Sequence, residues 1–148
     1  MKSTALLDEI FSEITFLGTP VFYIAIIIFL IGFNLFSVWR LVLSLIFIEL
    51  LCAAIKLIYK KERPMPQSRE GLYNKIDASS FPSVHGARIS FLAAIVALNC
   101  KNILFVIGGI IVAIVVCYSR IYLKRHDFKD IAGGVLIGVL VAVFSLFI

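Results

Sequence analysis

The sequence predicts an all-α integral membrane protein: a helical bundle of about five transmembrane helices with an N-terminal amphipathic helix at the interface. Three observations carry this. The 148 residues are 61% hydrophobic with a mean hydropathy of +1.07, more apolar than a water-soluble domain of this length. Several uncharged runs approach or exceed the ~20 residues a helix needs to cross a bilayer. Polar residues are gathered into short segments, with one long polar connection at residues 65–81. A single membrane-embedded domain over 1–148 is the natural division, with 1–15 interfacial and 16–148 the transmembrane core. The start carries one lysine and then acidic residues, so no cleavable signal peptide is expected.

The net charge of +5 points to anionic lipid headgroups or an anionic substrate; no basic tail or RNA-binding pattern suggests nucleic acid. Cys52, Cys100 and Cys117 lie in or beside apolar runs at spacings that match no zinc or redox motif, and read as small packing residues.

Residues 3–15 set Leu6, Leu7, Ile10, Phe11 and Ile14 against Asp8, Glu9, Ser12 and Glu13 at helical spacing. The segment is too polar to span and is expected along the interface. Gly18 and Pro20 break it. Phe16 to Trp39 is uncharged and forms the first span, with Asn34, Ser37 and Arg40 at its far end and Trp39 an interfacial anchor. Leu41 to Tyr59 is the second. It carries Glu49 and Lys56, which continue at the same seven-residue interval to Arg63, one stripe on a continuing helix. Pro64 disfavours helix at Arg63. An ionisable residue inside a span is costly and usually faces the bundle interior. Lys56 reads either as a functional cation or as a lysine snorkelling at a helix end. Glu49 reads as a polar helix–helix contact.

After the 65–81 loop, Pro82 suits the first turn of a third span that runs to about Asn99, with Ser80 a candidate cap. Ser83 and His85 then lie at a helix N-terminus, where free N–H groups and the helix dipole favour an anion. Arg88 can share the face of His85; the plainer alternative for His85 is a satisfied interfacial histidine. Asn99 to Asn102 make a polar turn. Asn102 to Ser119 is the fourth span, with Gly108 and Gly109 allowing close helix contact. Ile131 to Ile148 is the last, and Gly133, Gly134 and Gly138 give it a smooth packing surface.

Between the last two spans, Ser119 to Asp130 places Arg120, His126 and Asp130 in one polar segment. On a helix His126 and Asp130 would face the same side, so that the carboxylate could hold one imidazole nitrogen and leave the other free to attack. Arg120 offers a fixed fork for a phosphate-like oxyanion. The plainer alternative is a basic, solvated loop. Topology weighs against it: five crossings bring Lys56, Arg63, Ser83, His85, Arg120, His126 and Asp130 to one membrane face, with both histidines of the chain among them.

These three stretches together resemble the phosphatidic acid phosphatase type 2 family. Its pattern is a lysine, six residues and Arg-Pro; then Pro-Ser-x-His; then Ser-Arg, five residues, His, three residues and Asp. Here stand Lys56 with Arg63-Pro64, Pro82-Ser83-Val84-His85, and Ser119-Arg120 with His126 and Asp130, so the resemblance covers residues 56–130. Two departures stand out. Val84 occupies a position where the family often has glycine, and members usually have six spans.

The resemblance implies a membrane phosphatase of lipid phosphates or isoprenoid (polyprenyl) diphosphates. It assigns His126 as the nucleophile that becomes phosphohistidine, with Asp130 orienting it. Lys56, Arg63, Arg120 and Ser83 would hold the phosphoryl oxygens, with Arg88 accessory. His85 would protonate the leaving oxygen and then activate water. The family is metal-independent, and no acidic cluster able to hold magnesium or zinc is visible in the sequence, so no metal or cofactor is expected. Expected partners are the lipid substrate and membrane lipids. A phosphotransferase using the same intermediate is the nearest alternative. A catalytically inactive lipid-binding protein is the other, opposed by the intact motif set. The vanadium haloperoxidases share similar motifs but are soluble.

Charge count and resemblance disagree on orientation. Apart from the motif residues and Arg88, the active face gathers Lys2, Lys60, Lys61, Arg69, Lys75, Lys124, Arg125 and Lys129, against Arg40 and Lys101 opposite. The positive-inside rule would make that face cytoplasmic. The resemblance implies the extracytoplasmic face of the cell membrane, and that is the expectation adopted.

Overall fold

Asn102 and Asp127 each start an apolar helix with a side-chain cap, and helices are the only regular elements among the described residues. The computed structural model describes residues 2–33, 38–65, 71 and 78–147, with no strand among them. In chain order these are α1 (Lys2–Thr15), a 3₁₀ turn (Phe16–Gly18), α2 (Pro20–Phe33), α3 (Val38–Ile58), α4 (Val84–Asn99), α5 (Ile103–Tyr122), α6 (Phe128–Phe144) and a closing 3₁₀ turn (Ser145–Phe147).

All five predicted apolar runs are helical where described, but they are not five equal spans. Among the described residues, three helices are long and apolar enough to cross a membrane: α3, α5, and α6 with its closing turn. α4 has 16 residues, about 24 Å of helix against a hydrocarbon core of about 30 Å. α1 and α2 form a pair bent by 54° at the Gly18–Pro20 break and together count as up to one more span. Pro20 opens α2 because a helix start has no use for the N–H that proline lacks. Asn34 and Ser37 lie outside the described residues. Trp39 and Arg40 belong to the first turn of α3, so they begin the second apolar helix instead of ending the first.

α1 is docked onto α5. The Phe11 ring lies 4.4 Å from that of Tyr122 and 5.6 Å from that of Tyr118, and Thr15 Oγ1 pairs with Ser119 Oγ at 3.1 Å. Its Leu6 and Leu7 remain exposed.

The core forms around α4. Ala87, Phe91 and Ile95 pack with Leu41, Ile48 and Cys52 of α3 and Val141 and Ala142 of α6. A second cluster joins Ile89 to Val116, Cys117 and Ile131. Outward faces stay apolar (Leu43, Phe47, Leu50, Leu104, Ile111, Leu136), as a bilayer requires.

α4 and α6 approach closely because Gly134 and Gly138 lack side chains. A Cβ on Gly134 would overlap the Ser83 carbonyl oxygen, and one on Gly138 the Ala87 carbonyl oxygen. Neither backbone oxygen can rotate away. Gly134→Ala should therefore destabilise the fold by roughly 1–3 kcal/mol, the usual scale of overpacking. A methyl group on Gly108 would meet nothing within 4 Å, so this residue makes no close contact, unlike the expectation for the Gly108–Gly109 pair; Gly109 does pack against Ala93. Thermal unfolding in detergent should show Gly134→Ala well below wild type and Gly108→Ala unchanged. Equal melting temperatures would refute the close-packing account.

Candidate active site

Three chain segments build the site, and each is held by local hydrogen bonds that follow from its residues. The first follows α3. Lys56 is buried in the last turn, and the chain then leaves the helix to carry Lys61 and Arg63. That stretch is laced to residues 79–80: Ser80 N–H donates to the Lys61 carbonyl (2.9 Å), Ser79 Oγ to Tyr59 (3.0 Å) and Ser80 Oγ to Glu62 (3.0 Å). Ser80 is thus a loop tether and not the cap of α4.

Ser83 is the cap. Its Oγ accepts from the Gly86 N–H at 3.3 Å, and its own N–H donates to the Asp130 carbonyl at 3.0 Å. This fixes the start of α4 against the start of α6. It also leaves Ser83 fully buried behind the cavity wall, while Val84 and His85 reach the wall itself. Among described non-glycine residues only Lys124 has positive φ, so Val84 takes its position without backbone strain.

The second segment ends α5 in a Schellman turn. Arg125 N–H donates to the Arg120 carbonyl (3.0 Å), Lys124 N–H to Ile121 (2.9 Å), and Lys124 sits in the left-handed region at φ 52°. The same Arg120 carbonyl accepts from His126 N–H at 3.2 Å. The five residues between Arg120 and His126 are therefore the length of this turn.

The third segment starts α6 with a capping box. Asp127 Oδ1 accepts from Asp130 N–H, and Asp130 Oδ2 from Asp127 N–H, both at 3.0 Å. His126 precedes the cap and is not on the helix. The expected helical pairing of His126 with Asp130 is replaced by this box, which points Asp130 back over the cap. Its Oδ2 lies 3.7 Å from His126 Nδ1, longer than a hydrogen bond, and Nδ1 has no other partner among the described residues.

These segments enclose a cavity of about 330 Å³ lined by Lys56, Arg63, His85, Arg88, Arg120, His126, Glu49, Pro20, Ala53 and Val84. Four cations thus face one carboxylate. Of the sequence-predicted residues, Lys56, Arg63, His85, Arg120, His126 and the accessory Arg88 line it; Asp130 stands behind His126, and Ser83 behind Val84. Arg88 is held from two sides: Nε donates to Glu49 Oε1 (2.5 Å) and Nη1 to the Gly18 carbonyl (2.8 Å). Glu49 is the helix–helix contact expected, with the addition that it reaches the cavity wall. Gly18 also backs His85; a Cβ there would stand 2.6 Å from His85 Cδ2.

Burial lowers the proton affinity of His126, and Arg120, Arg63 and Lys56 add to the effect; Asp130 opposes them without reversing it. The ring is therefore neutral at neutral pH, as a nucleophile must be. A neutral imidazole facing several fixed cations can attack an electrophile bearing spread negative charge, and a phosphoryl group is the common one.

Sequence reasoning passed over Lys61. It counted only as one more surface cation, yet its ammonium bridges Asp127 and Asp130. Nothing in the local pattern around Lys60-Lys61 marks it, because its partners are more than sixty residues away. Among the described residues no group of three or more His, Cys, Asp or Glu side chains is placed to hold a metal ion.

A profile described as the PAP2 superfamily matches residues 37–148. No curated protein sequence matches. Two crystal structures are similar. Aquifex aeolicus LpxE superposes with a TM-score of 0.82 at 26% identity, over 97% of this chain and 87% of that one. The first transmembrane PAP2-type phosphatidylglycerolphosphate phosphatase from Bacillus subtilis superposes with a TM-score of 0.76 at 24% identity, over 96% and 76%, a likeness of fold.

Proposed function

The chain belongs to the PAP2 superfamily, and on that premise we propose that it is a membrane phosphatase that cleaves a lipid phosphate or polyprenyl diphosphate through a phosphohistidine. The observation that carries this is the neutral His126 on the wall of a cation-lined cavity, with a buried carboxylate behind its Nδ1. Nε2, on the other side of the ring, attacks phosphorus. The bond from phosphorus to the leaving oxygen breaks as His85 passes to that oxygen a proton that the substrate's phosphate monoanion carries in. Asp130 stabilises the positive charge that the imidazole acquires. Lys56, Arg63 and Arg120 take up the charge spread over the phosphoryl oxygens. Water then attacks the phosphohistidine, His85 removes its proton, and inorganic phosphate leaves with His126 restored.

A lipid substrate is supported by a second feature. An apolar groove of about 270 Å³ runs between α2 and α3, lined by Tyr23, Ile24, Ile27, Val42, Leu45 and Ile46, and it shares Pro20, Glu49 and Arg88 with the polar cavity. A phosphate in the cavity would leave its hydrocarbon tail beside that groove. We place the site on the extracytoplasmic face, against the Lys/Arg count; labelling of a cysteine introduced at Lys129 by a membrane-impermeant reagent on intact cells tests it, and labelling only after lysis would reverse it.

The direct test is phosphate release by purified protein in detergent from phosphatidate, phosphatidylglycerol phosphate and polyprenyl diphosphates, with no added acceptor. Release from at least one is expected. Consumption of substrate only when an alcohol acceptor is present would establish a phosphotransferase instead. Because the charge on the phosphoryl oxygens is met by guanidinium and ammonium groups, activity should persist in EDTA. Full loss in EDTA, restored by one divalent ion, would overturn the mechanism.

A further inference from the structure

Lys61 Nζ donates to Asp127 Oδ2 (2.5 Å) and to Asp130 Oδ1 (2.8 Å). Asp130 is wholly buried, and its other oxygen is held by the Asp127 N–H. Both carboxylate oxygens are thereby fixed, one by a charge and one by the backbone, which sets the plane presented to His126. Lys61 does not line the phosphate cavity. It borders a separate surface hollow with Tyr59, Phe81, Asp127 and Lys129. Its backbone is pinned too, N–H to the Tyr59 carbonyl (2.7 Å) and carbonyl to Ser80 N–H. A cation that cannot reach the phosphate, tied to the carboxylate behind the nucleophile, has one place to act.

We propose that Lys61 is a positioning residue for the nucleophile, anchoring Asp130 and offsetting the second carboxylate of Asp127, so that Asp130 faces His126 Nδ1. This rests on the phosphohistidine reading above. The physical need is plain: two neighbouring carboxylates, one of them buried, repel unless a cation bridges them. Burial works against the charge on Lys61, and the two aspartates outweigh it, holding the ammonium above the usual lysine range. Asp127 is likewise held below the usual carboxylate range: burial pushes it up, and the Lys61 hydrogen bond more than offsets this.

The test follows phosphoenzyme formation in single-turnover experiments on the full chain in detergent. Lys61→Met should slow it about 10- to 100-fold, the scale on which partners behind metal-ligating histidines act, with KM little changed. Lys61→Arg should retain most of the rate. The pH profile should move as well. The groups that face His126 are Glu49 and Lys56 on α3, Arg63 after it, His85 and Arg88 on α4, Arg120 on α5 and Asp130 on α6. Removing the cation beyond Asp130 strengthens that carboxylate's hold on the imidazolium, so the acid limb should shift to higher pH. A bridge serving stability alone would not shift it. Lys61→Met with Asp127→Asn, which keeps a capping side chain but removes the second charge, should recover part of the loss while staying slower than Asp127→Asn alone.

A Lys61→Met enzyme with wild-type rate and pH profile overturns the inference. If that variant does not fold, the double variant is compared with Asp127→Asn alone: about tenfold slower phosphorylation supports the anchoring role, and an equal rate refutes it. The underlying reading fails differently, by absence of any acid-labile phosphoenzyme in the wild type.

Discussion

His126→Ala should abolish turnover and leave no acid-labile phosphoenzyme. The expected loss is on the order of 10⁴-fold or more, since removing a covalent nucleophile closes the pathway and leaves only binding and charge stabilisation. The turn that ends α5 places the ring. The Arg120 carbonyl holds the His126 N–H, and the capping box after it sets Asp130 behind the imidazole. The alanine variant should keep its fold, because His126 caps nothing and its ring lines a cavity. The same geometry dictates the pH dependence of the wild type. His126 titrates below its ordinary 6.5, so its neutral, attacking form persists to lower pH than for a free histidine. Phosphorylation should fall off only as pH drops through that lowered value. Retained phosphate release by purified His126→Ala, or an acid limb centred above 6.5, would refute the assignment.

Periodicity and spacing made the helices and the converging face legible, and the reasons are physical. In an apolar run long enough to cross a bilayer, helix is the structure that satisfies the backbone within the one segment, so the element types follow from hydropathy. The break at Gly18 and Pro20 was equally readable from backbone chemistry. Boundaries were less so. Ser80 and Ser83 both precede an apolar run, and only the tertiary bond from Ser80 to Glu62 decides which of them caps α4. Asp127 is another case. His126 and Asp130 are spaced for a helix face, yet Asp127 is the better cap and starts the helix after His126. Glu49 was visible as an intramembrane charge and Arg88 as a cation on the face of His85, and their pairing across α3 and α4 depends on a register that spacing within one helix cannot reveal. Lys61 is the extreme of this: its role exists only through contacts distant in sequence.

His85→Ala separates the two chemical steps by leaving group. His85 is the second residue of α4, reaching the cavity with its ring backed by Gly18. A lipid alkoxide is a poor leaving group and needs a proton as its bond to phosphorus breaks. Loss of that proton donor should slow phosphorylation by an alkyl phosphate about 10²–10⁴-fold. An aryl phosphate leaves without help, so its first step should slow by no more than about tenfold, a loss under ~1.4 kcal/mol. The second step still needs water activated by His85, whatever the substrate. The variant should therefore release about one equivalent of aryl alcohol quickly and then stall with phosphate on His126. Gly18→Ala, whose added methyl would press on the His85 ring, should show the same selectivity in milder form. An equal loss on aryl and alkyl phosphates, with no phosphoenzyme accumulating, would remove His85 from both proton transfers and leave it as one more wall of the cavity.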